Sequence, residues 1–362
     1  MIPRFHQLTV RDVRRETPDA VSVAFDVPPE LAEAYAYAPG QYLTLRTEMD
    51  GAELRRSYSI CSGPEEGELR IAVKRVEGGA VSGWLNEALA PGHALDVMTP
   101  TGRFGALPAP EGPRVHVCFA AGSGITPILS IVRGVLAREP RSRVFLFYGN
   151  RTMADMLFRT ALEELKDRYL DRFSVFHVLS GEEQDVPVLN GRLDRDKARL
   201  LLTHVVPAAA VDHLFICGPT GMSDAVEDAA RSLGVPAERV HVERFVSEFG
   251  GRARARIEPA APAAEDGDAS APRAALIVDG KRREVAVRAH ETILDSALRA
   301  RMDLPYACRG GMCSTCRAKV VEGEVRMDVN YSLEPWELEA GFVLTCQAHP
   351  VTDRVVIDYD QV

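Results

Sequence analysis

The chain has 362 residues, of which 46% are hydrophobic and 26% charged, and its net charge is −9 at pH 7. That length predicts two or three domains, each large enough to bury its own core, and the composition excludes fibrous, collagen-like and wholly disordered classes. The acidic balance argues against a nucleic-acid partner, no run approaches the ~20 apolar residues that span a bilayer, and the start, Met1-Ile2-Pro3-Arg4-Phe5-His6-Gln7, has no secretory apolar region, so a cytoplasmic protein without a membrane partner is expected.

Residues 1–107 show short alternating strands such as Val21–Phe25 and Tyr42–Leu45 with Gly and Pro between them, which predicts a small antiparallel β-barrel. Within it, Arg55-Arg56-Ser57-Tyr58-Ser59-Ile60 places a cation, an aromatic plane and hydroxyls on one strand. The period of two puts Arg56 and Tyr58 on one face and Ser57 and Ser59 on the other.

From Arg114 to the end of 108–246, apolar strands alternate with helical patterns. The strands are Val115–Phe119, Val144–Tyr148, Phe173–Val178, His213–Cys217 and Val240–Glu243, and helices are expected from Thr126, Asp155, Asp194 and Pro219. Such alternation predicts a parallel sheet covered on both faces, an α/β domain. Two of its strand ends are glycine-rich: Ala121-Gly122-Ser123-Gly124-Ile125-Thr126-Pro127 and Cys217-Gly218-Pro219-Thr220-Gly221-Met222. Ligands of open parallel sheets sit at such ends, where glycines let phosphate approach backbone amides. The first loop lacks the third glycine of the dinucleotide fingerprint, so it reads equally as a plain turn. Arg151 either meets an adenosine 2′-phosphate or is simply an exposed arginine.

Residues 247–275, rich in Ala, Pro and charge, read as a linker with a root-mean-square span of roughly 30 Å, or else hold a short Ala-rich helix. Residues 276–362 read as a small α+β unit compatible with a β-grasp fold: a hairpin around Asp279-Gly280, a helix over Thr292–Arg301, and later strands over Ala318–Val321 and Arg354–Ile357.

Seven cysteines are unevenly placed. Cys61 and Cys118 read as small buried hydrophobes, with Cys217 less clear. Cys308, Cys313 and Cys316 have the spacing C-x4-C-x2-C, and Cys346 follows. That is the plant-type [2Fe–2S] spacing, in which three thiolates on a curled loop and a fourth from elsewhere hold two irons. Gly310 and Gly311 stand where such curling needs positive φ or close approach. A four-thiolate zinc site is the rival, although such sites usually present two C-x2-C pairs, and a disulfide is disfavoured in a cytosolic chain.

Arg56-Ser57-Tyr58-Ser59, Gly79-Ala80-Val81-Ser82, Gly122–Pro127, Cys217-Gly218-Pro219 and His241-Val242-Glu243-Arg244-Phe245 fall in the order seen in the ferredoxin–NADP reductase superfamily, and the terminal unit resembles plant-type ferredoxin. The domain order is similar to that of the reductase components of multicomponent oxygenases. Asn330–Pro335, leading to Gly341–Pro350, is most similar to reductases of phenylacetyl-CoA epoxidases, with those of 3-ketosteroid 9α-hydroxylases second.

The resemblance implies FAD, NADPH or NADH, a [2Fe–2S] cluster and an oxygenase component as protein acceptor. It implies that Arg56 pairs with the FAD pyrophosphate, Tyr58 stacks on the isoalloxazine and Ser59 hydrogen-bonds flavin N5. Val73 and Lys74 lie in the next flavin-lining strand, and Gly79, Val81 and Ser82 belong to the diphosphate-holding helix start. Gly122, Ser123, Gly124, Gly218 and Pro219 line the nicotinamide crevice, which Thr126 and Cys217 flank. Phe245 matches an aromatic that covers the flavin, but there it ends the chain and here a linker follows. The acidic residues from Glu322 to Glu339 either steer the cluster domain toward a basic oxygenase surface or form a solvated face. A non-catalytic redox sensor is the alternative of another class.

Overall fold

A computed structural model describes residues 2–105, 112–245 and 271–361. The expected linker lies largely outside the described residues, as does most of the boundary expected at 108. The chain forms two compact units. One comprises the described parts of Met1–His6, Thr44–Ser57 and Phe249–Val362, and the other Gln7–Leu43 and Tyr58–Glu248.

The first sheet has six strands, β1 (Phe5–Thr17), β2 (Ala20–Asp26), β3 (Tyr42–Met49), β4 (Ala52–Ser59), β5 (Leu69–Lys74) and β6 (Ala94–Met98), in the order β4-β3-β6-β1-β2-β5. β2 pairs antiparallel with both β1 and β5, with Val23 opposite Val13 and Ile71. Its residues from Ala20 to Phe25 are all buried, so the apolar run reflects cover on both faces. The one helix of this region, α1 (Ala80–Glu87), starts after Gly79.

The second sheet is parallel, with the order β11 (Val240–Glu243), β10 (His213–Cys217), β7 (Val115–Ala121), β8 (Arg143–Asn150), β9 (Phe173–Leu179). The chain order reverses between β7 and β10, so the carboxyl ends of these two strands flank the crevice where ligands of such sheets bind. Helices α2 (Ile125–Arg138), α3 (Arg159–Arg168), α4 (Arg195–His204) and α5 (Thr220–Ser232) connect the strands. Two buried clusters, one containing α2 and α3 residues and one containing α4 and α5 residues, cover the two faces. Asp194 caps α4 through a 2.9 Å bond from the Lys197 amide. The helix expected from Asp155 starts instead at Arg159, because a short 3-10 turn at Met153–Asp155 and a left-handed Phe158 (φ 59°) delay it.

The third sheet has the order β13 (Lys281–Ala286), β12 (Arg273–Val278), β18 (Arg354–Asp358), β14 (Arg317–Glu322), β16 (Phe342–Leu344), and β12 and β18 are parallel. Asp279 and Gly280 both take positive φ, 51° and 68°, the twist that a two-residue hairpin turn needs. Residues 273–275, expected in the linker, instead form the start of β12, held against β13 and β18. Helix α6 (Ile293–Arg299) is capped by Thr292, whose hydroxyl accepts the Asp295 amide. A pair of short strands, β15 (Val325–Met327) and β17 (Ala348–Pro350), and the five-residue helix α7 (Pro335–Glu339) complete this part. Among the described residues no helix is long and apolar enough to cross a membrane.

Candidate functional site

The strand β4 alternates as its sequence predicts: Arg55 and Ser59 are buried and Arg56 is exposed. Ser57 shares a 3.1 Å hydroxyl–hydroxyl hydrogen bond with Thr44. The Ser59 hydroxyl donates a long hydrogen bond, 3.4 Å, to the Glu243 carboxylate. Tyr58 is half-buried. On β5, Val73 is fully buried and the Lys74 ammonium lies 3.3 Å from Asp19.

At the start of α1, Val81 is buried and the Ser82 hydroxyl is turned inward, accepting the Val76 amide at 3.1 Å and donating to the Gly79 carbonyl at 3.3 Å. That hydroxyl therefore shapes the loop, and the anion-attracting groups at this end are the first-turn amides of α1. A cavity of about 350 Å³ opens there, lined by Arg75, Gly78, Gly79, Gly83 and Trp84 among others. A Cβ on Gly79 would stand 2.6 Å from the Ser82 oxygen, so only glycine permits this closed loop.

The two glycine-rich strand ends are packed directly together. A Cβ on Gly124 would meet the Cys217 carbonyl oxygen at 2.1 Å and the Gly218 nitrogen at 2.8 Å. A Cβ on Gly218 would meet the Met222 methyl at 2.7 Å and Ala121 at 3.2 Å. Gly122 takes positive φ (53°), and its carbonyl accepts the Tyr148 hydroxyl at 3.1 Å. Ser123 offers its carbonyl to the Thr126 hydroxyl at 2.7 Å, so Thr126 is buried as a cap of the turn. Pro219 is the N-cap residue of α5. Arg151 is exposed just beyond β8. Phe245 packs, partly buried, against the core cluster that contains Cys217.

Cys217 is fully buried, and burial pushes its thiol well above the usual range, with the Glu243 carboxylate adding to the effect. Its register partner on β11 is Glu243. Glu243 keeps some access to solvent, but dense surroundings push its carboxyl up to about 8, opposed by the Ser59 hydrogen bond. Ser59, Cys217 and Glu243 thus form a polar cluster, and Glu243 is the member the sequence reading left without a role. Its only sequence signal is an acid at the end of a short strand, Val240–Glu243. Cys61 and Cys118 are buried in the core as expected, and burial raises both thiols, Cys61 to about 12.

The cysteine loop of the terminal unit is wound by three left-handed residues, Arg309 (φ 53°), Gly311 (φ 76°) and Ser314 (φ 53°). Gly310 is not one of them, so two side-chain-bearing residues carry strain that persists only where surroundings over-determine it. The winding turns donors toward sulfur: the Gly310 amide to Cys308 at 3.3 Å, the Cys308 amide to Cys313 at 3.5 Å and the Thr315 hydroxyl to Cys313 at 3.1 Å. Gln347 reaches Cys346 at 3.5 Å and the Arg309 carbonyl at 2.9 Å. Arg309 pairs with Asp295 of α6. The carbonyl of Cys316 accepts the Thr345 hydroxyl, which in turn accepts the Tyr359 hydroxyl at 2.7 Å.

The thiols interact in two pairs, Cys308 with Cys313 and Cys316 with Cys346. Hydrogen bonds from Cys313 and from the Gly310, Met312 and Cys313 amides lower the Cys308 thiol, while its partner Cys313 is raised. Among the described residues no three His, Cys, Asp or Glu side chains converge as they would on one ion. Four thiols at one loop, with amide and hydroxyl donors aimed at the Cys308 and Cys313 sulfurs, suit the sulfur-directed hydrogen bonding of an iron–sulfur cluster better than a structural zinc site.

A barrel-type sheet, a parallel sheet with a glycine-lined crevice and a terminal four-thiol loop define a modular flavin- and iron–sulfur-dependent oxidoreductase. Family models agree in the same order: oxidoreductase FAD-binding domain over residues 7–105, oxidoreductase NAD-binding domain over 119–228, and 2Fe-2S iron-sulfur cluster binding domain over 276–351. The chain is 46% identical over 357 residues to a component of the 1,2-phenylacetyl-CoA epoxidase of Escherichia coli (strain K12), covering 98% of each chain. It is 37% identical over 362 residues to the ferredoxin reductase component of the 3-ketosteroid-9-alpha-monooxygenase of Mycolicibacterium smegmatis, covering 98% of this chain and 97% of that one. Phthalate dioxygenase reductase has a similar fold, with a TM-score of 0.57 at 23% identity over 98% of both chains. The chain belongs to the family of oxygenase reductase components, NAD(P)H-dependent enzymes that pass electrons through FAD and [2Fe–2S] to an oxygenase.

Proposed function

We propose that this chain is the reductase component of a phenylacetyl-CoA epoxidase, working in the cytoplasm with NADPH as donor. In this reading residues 1–107 form the FAD barrel, 108–246 the nicotinamide domain and the C-terminal residues from Arg273 the ferredoxin domain. Bound FAD supplies the conversion of a hydride into single electrons, and [2Fe–2S] carries them one at a time.

The protein's own residues do the rest. Arg56 and the first-turn amides of α1 hold the FAD pyrophosphate, Tyr58 stacks on the ring, and Ser59 bonds N5. Hydride transfer needs two rings in contact and aligned, and the close approach of Gly124 to Cys217 leaves the nicotinamide that space. Glu243, its carboxyl raised to about 8 and bonded by the Ser59 hydroxyl, would hold a proton beside Ser59 for the flavin chemistry to draw on. Cys308, Cys313, Cys316 and Cys346 would hold the [2Fe–2S] cluster. Arg151, exposed beyond β8, meets the 2′-phosphate of NADPH.

The observation that carries the redox chemistry is the wound four-cysteine loop, in which two amides and a hydroxyl donate to the Cys308 and Cys313 sulfurs. The choice of epoxidase is supported by similarity along the whole chain. The test is reconstitution. The purified protein, with its flavin and acid-labile sulfide measured, is mixed with the remaining epoxidase components, and NADPH consumption coupled to phenylacetyl-CoA epoxidation is followed. The oxygenase of a steroid hydroxylase serves as the competing acceptor. A preference for the latter would overturn the assignment of partner, and protein lacking both flavin and sulfide would overturn the electron-transfer role. Equal kcat/KM for NADH and NADPH, unchanged by Arg151→Ala, would overturn the role of Arg151.

A further inference from the structure

The reductase chemistry asks for Arg56 but gives no reason for its neighbour to be buried, yet Arg55 is only 7% exposed. Its guanidinium lies 3.9 Å from the centroid of the Tyr306 ring and 4.9 Å from that of Phe5. Nε donates to Glu53 at 2.8 Å and Nη1 to the Leu304 carbonyl at 3.3 Å. The Tyr306 hydroxyl donates to the same Glu53 carboxylate at 3.4 Å. All of these residues belong to one compact unit, the one that contains the β3–β4 hairpin and the described C-terminal residues.

The chemistry of this clamp is specific. A buried guanidinium is costly unless its charge is paired and its planar fork of donors is used. Here a carboxylate and a carbonyl take donors in the plane while aromatic rings pack against the cation, a combination that a lysine ammonium cannot supply. The exposed Arg4–Asp279 pair in the same unit, bonded at 2.9 Å, contributes little by comparison.

What the clamp joins gives it a role. On one side stands β4, which runs from Arg55 straight into Arg56 and Ser57. On the other stands the segment from Leu304 to Tyr306, which leads directly into Cys308. We propose that Arg55 is a positioning residue for flavin-to-cluster electron transfer, holding the segment ahead of Cys308 against the flavin-binding hairpin. This rests on the reductase reading above. The redox balance is one NAD(P)H giving NAD(P)⁺, one proton and two electrons, which reduce the cluster in two successive single-electron turns.

The test is anaerobic rapid mixing of the holoenzyme with NADPH, reading flavin bleaching and the spin signal of the reduced cluster separately. Arg55→Met, Tyr306→Leu and the double variant are compared. Flavin reduction keeps its wild-type rate while cluster reduction falls about 10- to 100-fold, the order that a misplacement of about 1 Å costs a positioned reaction. The double variant is no slower than the worse single, because both changes break one contact. Iron content and cluster potential stay at wild type, and hydrogen exchange rises in peptides covering 2–6, 44–57 and 302–307 while β14 and β18 keep their protection. If Arg55→Met fails to retain FAD, Tyr306→Leu and Phe5→Ala decide, since neither adjoins Arg56. Cluster reduction at the wild-type rate in variants with intact cofactors, or additive effects in the double variant, would overturn the proposal. A wild-type protein that cannot reduce its own cluster with NAD(P)H would instead overturn the reductase reading.

Discussion

Gly124→Ala is the sharpest probe of the nicotinamide crevice. The added Cβ would lie 2.1 Å from the Cys217 carbonyl oxygen and 2.5 Å from its carbon, where ordinary contact begins at 3.4 Å. Both are backbone atoms at the end of β10, so no side chain can swing aside. The strand-end loops after β7 and β10 must separate by about 1 Å, at a cost of about 1–3 kcal/mol as in other overpacked cores. Moving reacting groups by about that distance lowers a positioned reaction about 100-fold. NADPH-driven ferricyanide reduction should therefore drop by one to two orders of magnitude. Iron content should hold, because the cysteine loop belongs to the other compact unit, and FAD content is measured alongside because the Gly122–Gly124 turn touches β5. Gly221→Ala in α5 is the matched control: nothing lies within 4 Å of its Cβ position, and alanine is the better helix former by roughly 1 kcal/mol. Stopped-flow hydride transfer and thermal unfolding measure both. Gly124→Ala with a wild-type hydride-transfer rate and an unchanged melting temperature would show that the close approach of these loops has no part in nicotinamide placement.

Cys313→Ser removes one of the four thiols, so cluster-dependent cytochrome c reduction should vanish while ferricyanide reduction at the flavin survives; equal loss of both would contradict the relay. Glu243→Gln should retain FAD but lower turnover by about 100-fold at pH 7, as loss of a general acid–base group does. Because the native carboxyl is raised to about 8, the wild type loses stability as pH rises from 4.5 through 8, and the variant, which cannot ionise, should not; parallel denaturant curves for the two proteins would contradict this. His213 titrates in the opposite sense. Burial first, then the neighbouring His116 and His241 and Arg114, lower it to about 4, with Asp212 opposing. The unfolded chain then binds the extra proton between pH 6.5 and 4, so stability falls on acidification by about 1–2 kcal/mol after allowance for partial exposure. His213→Gln should flatten that part of the stability profile measured by denaturant unfolding.

How far the sequence reveals each site follows from the range of the interactions that build it. The thiol loop is local: three of its ligands lie in one short segment, and their spacing alone implies a two-iron cluster. Even so, residue types do not reveal which of them winds left-handed, because Arg309 is held there through its pair with Asp295 of α6, a contact distant in sequence. The parallel sheet is legible because four of its strands are apolar runs followed by a helix signal, while the start of β12 is not, because Arg273-Ala274-Ala275 continues the composition of the segment before it. The proposed hydride site is the opposite case. Gly124, Cys217, Ser59 and Glu243 come from four separate segments, and only strand register and a glycine without room for a Cβ bring them together. Ser82 shows the same limit: at a helix start its hydroxyl serves a ligand or the loop equally well, and the Gly79 backbone decides in favour of the loop.

This difference in range matches a difference in chemical demand. Passing single electrons requires a cluster whose charge is stabilised in place, and sulfur-directed amides of one loop meet that need locally. Passing a hydride requires two rings held face to face within a fraction of an ångström, which no single loop can enforce. A parallel sheet can, because its reversal of strand order between β7 and β10 presents two strand ends side by side, and glycine lets them touch. In the proposed function the Ser59–Cys217–Glu243 cluster holds the proton, because its surroundings raise the Glu243 carboxyl to about 8. Disturbing either loop should therefore impair one transfer and spare the other, a separation that the Cys313→Ser and Gly124→Ala variants measure from opposite ends of the chain.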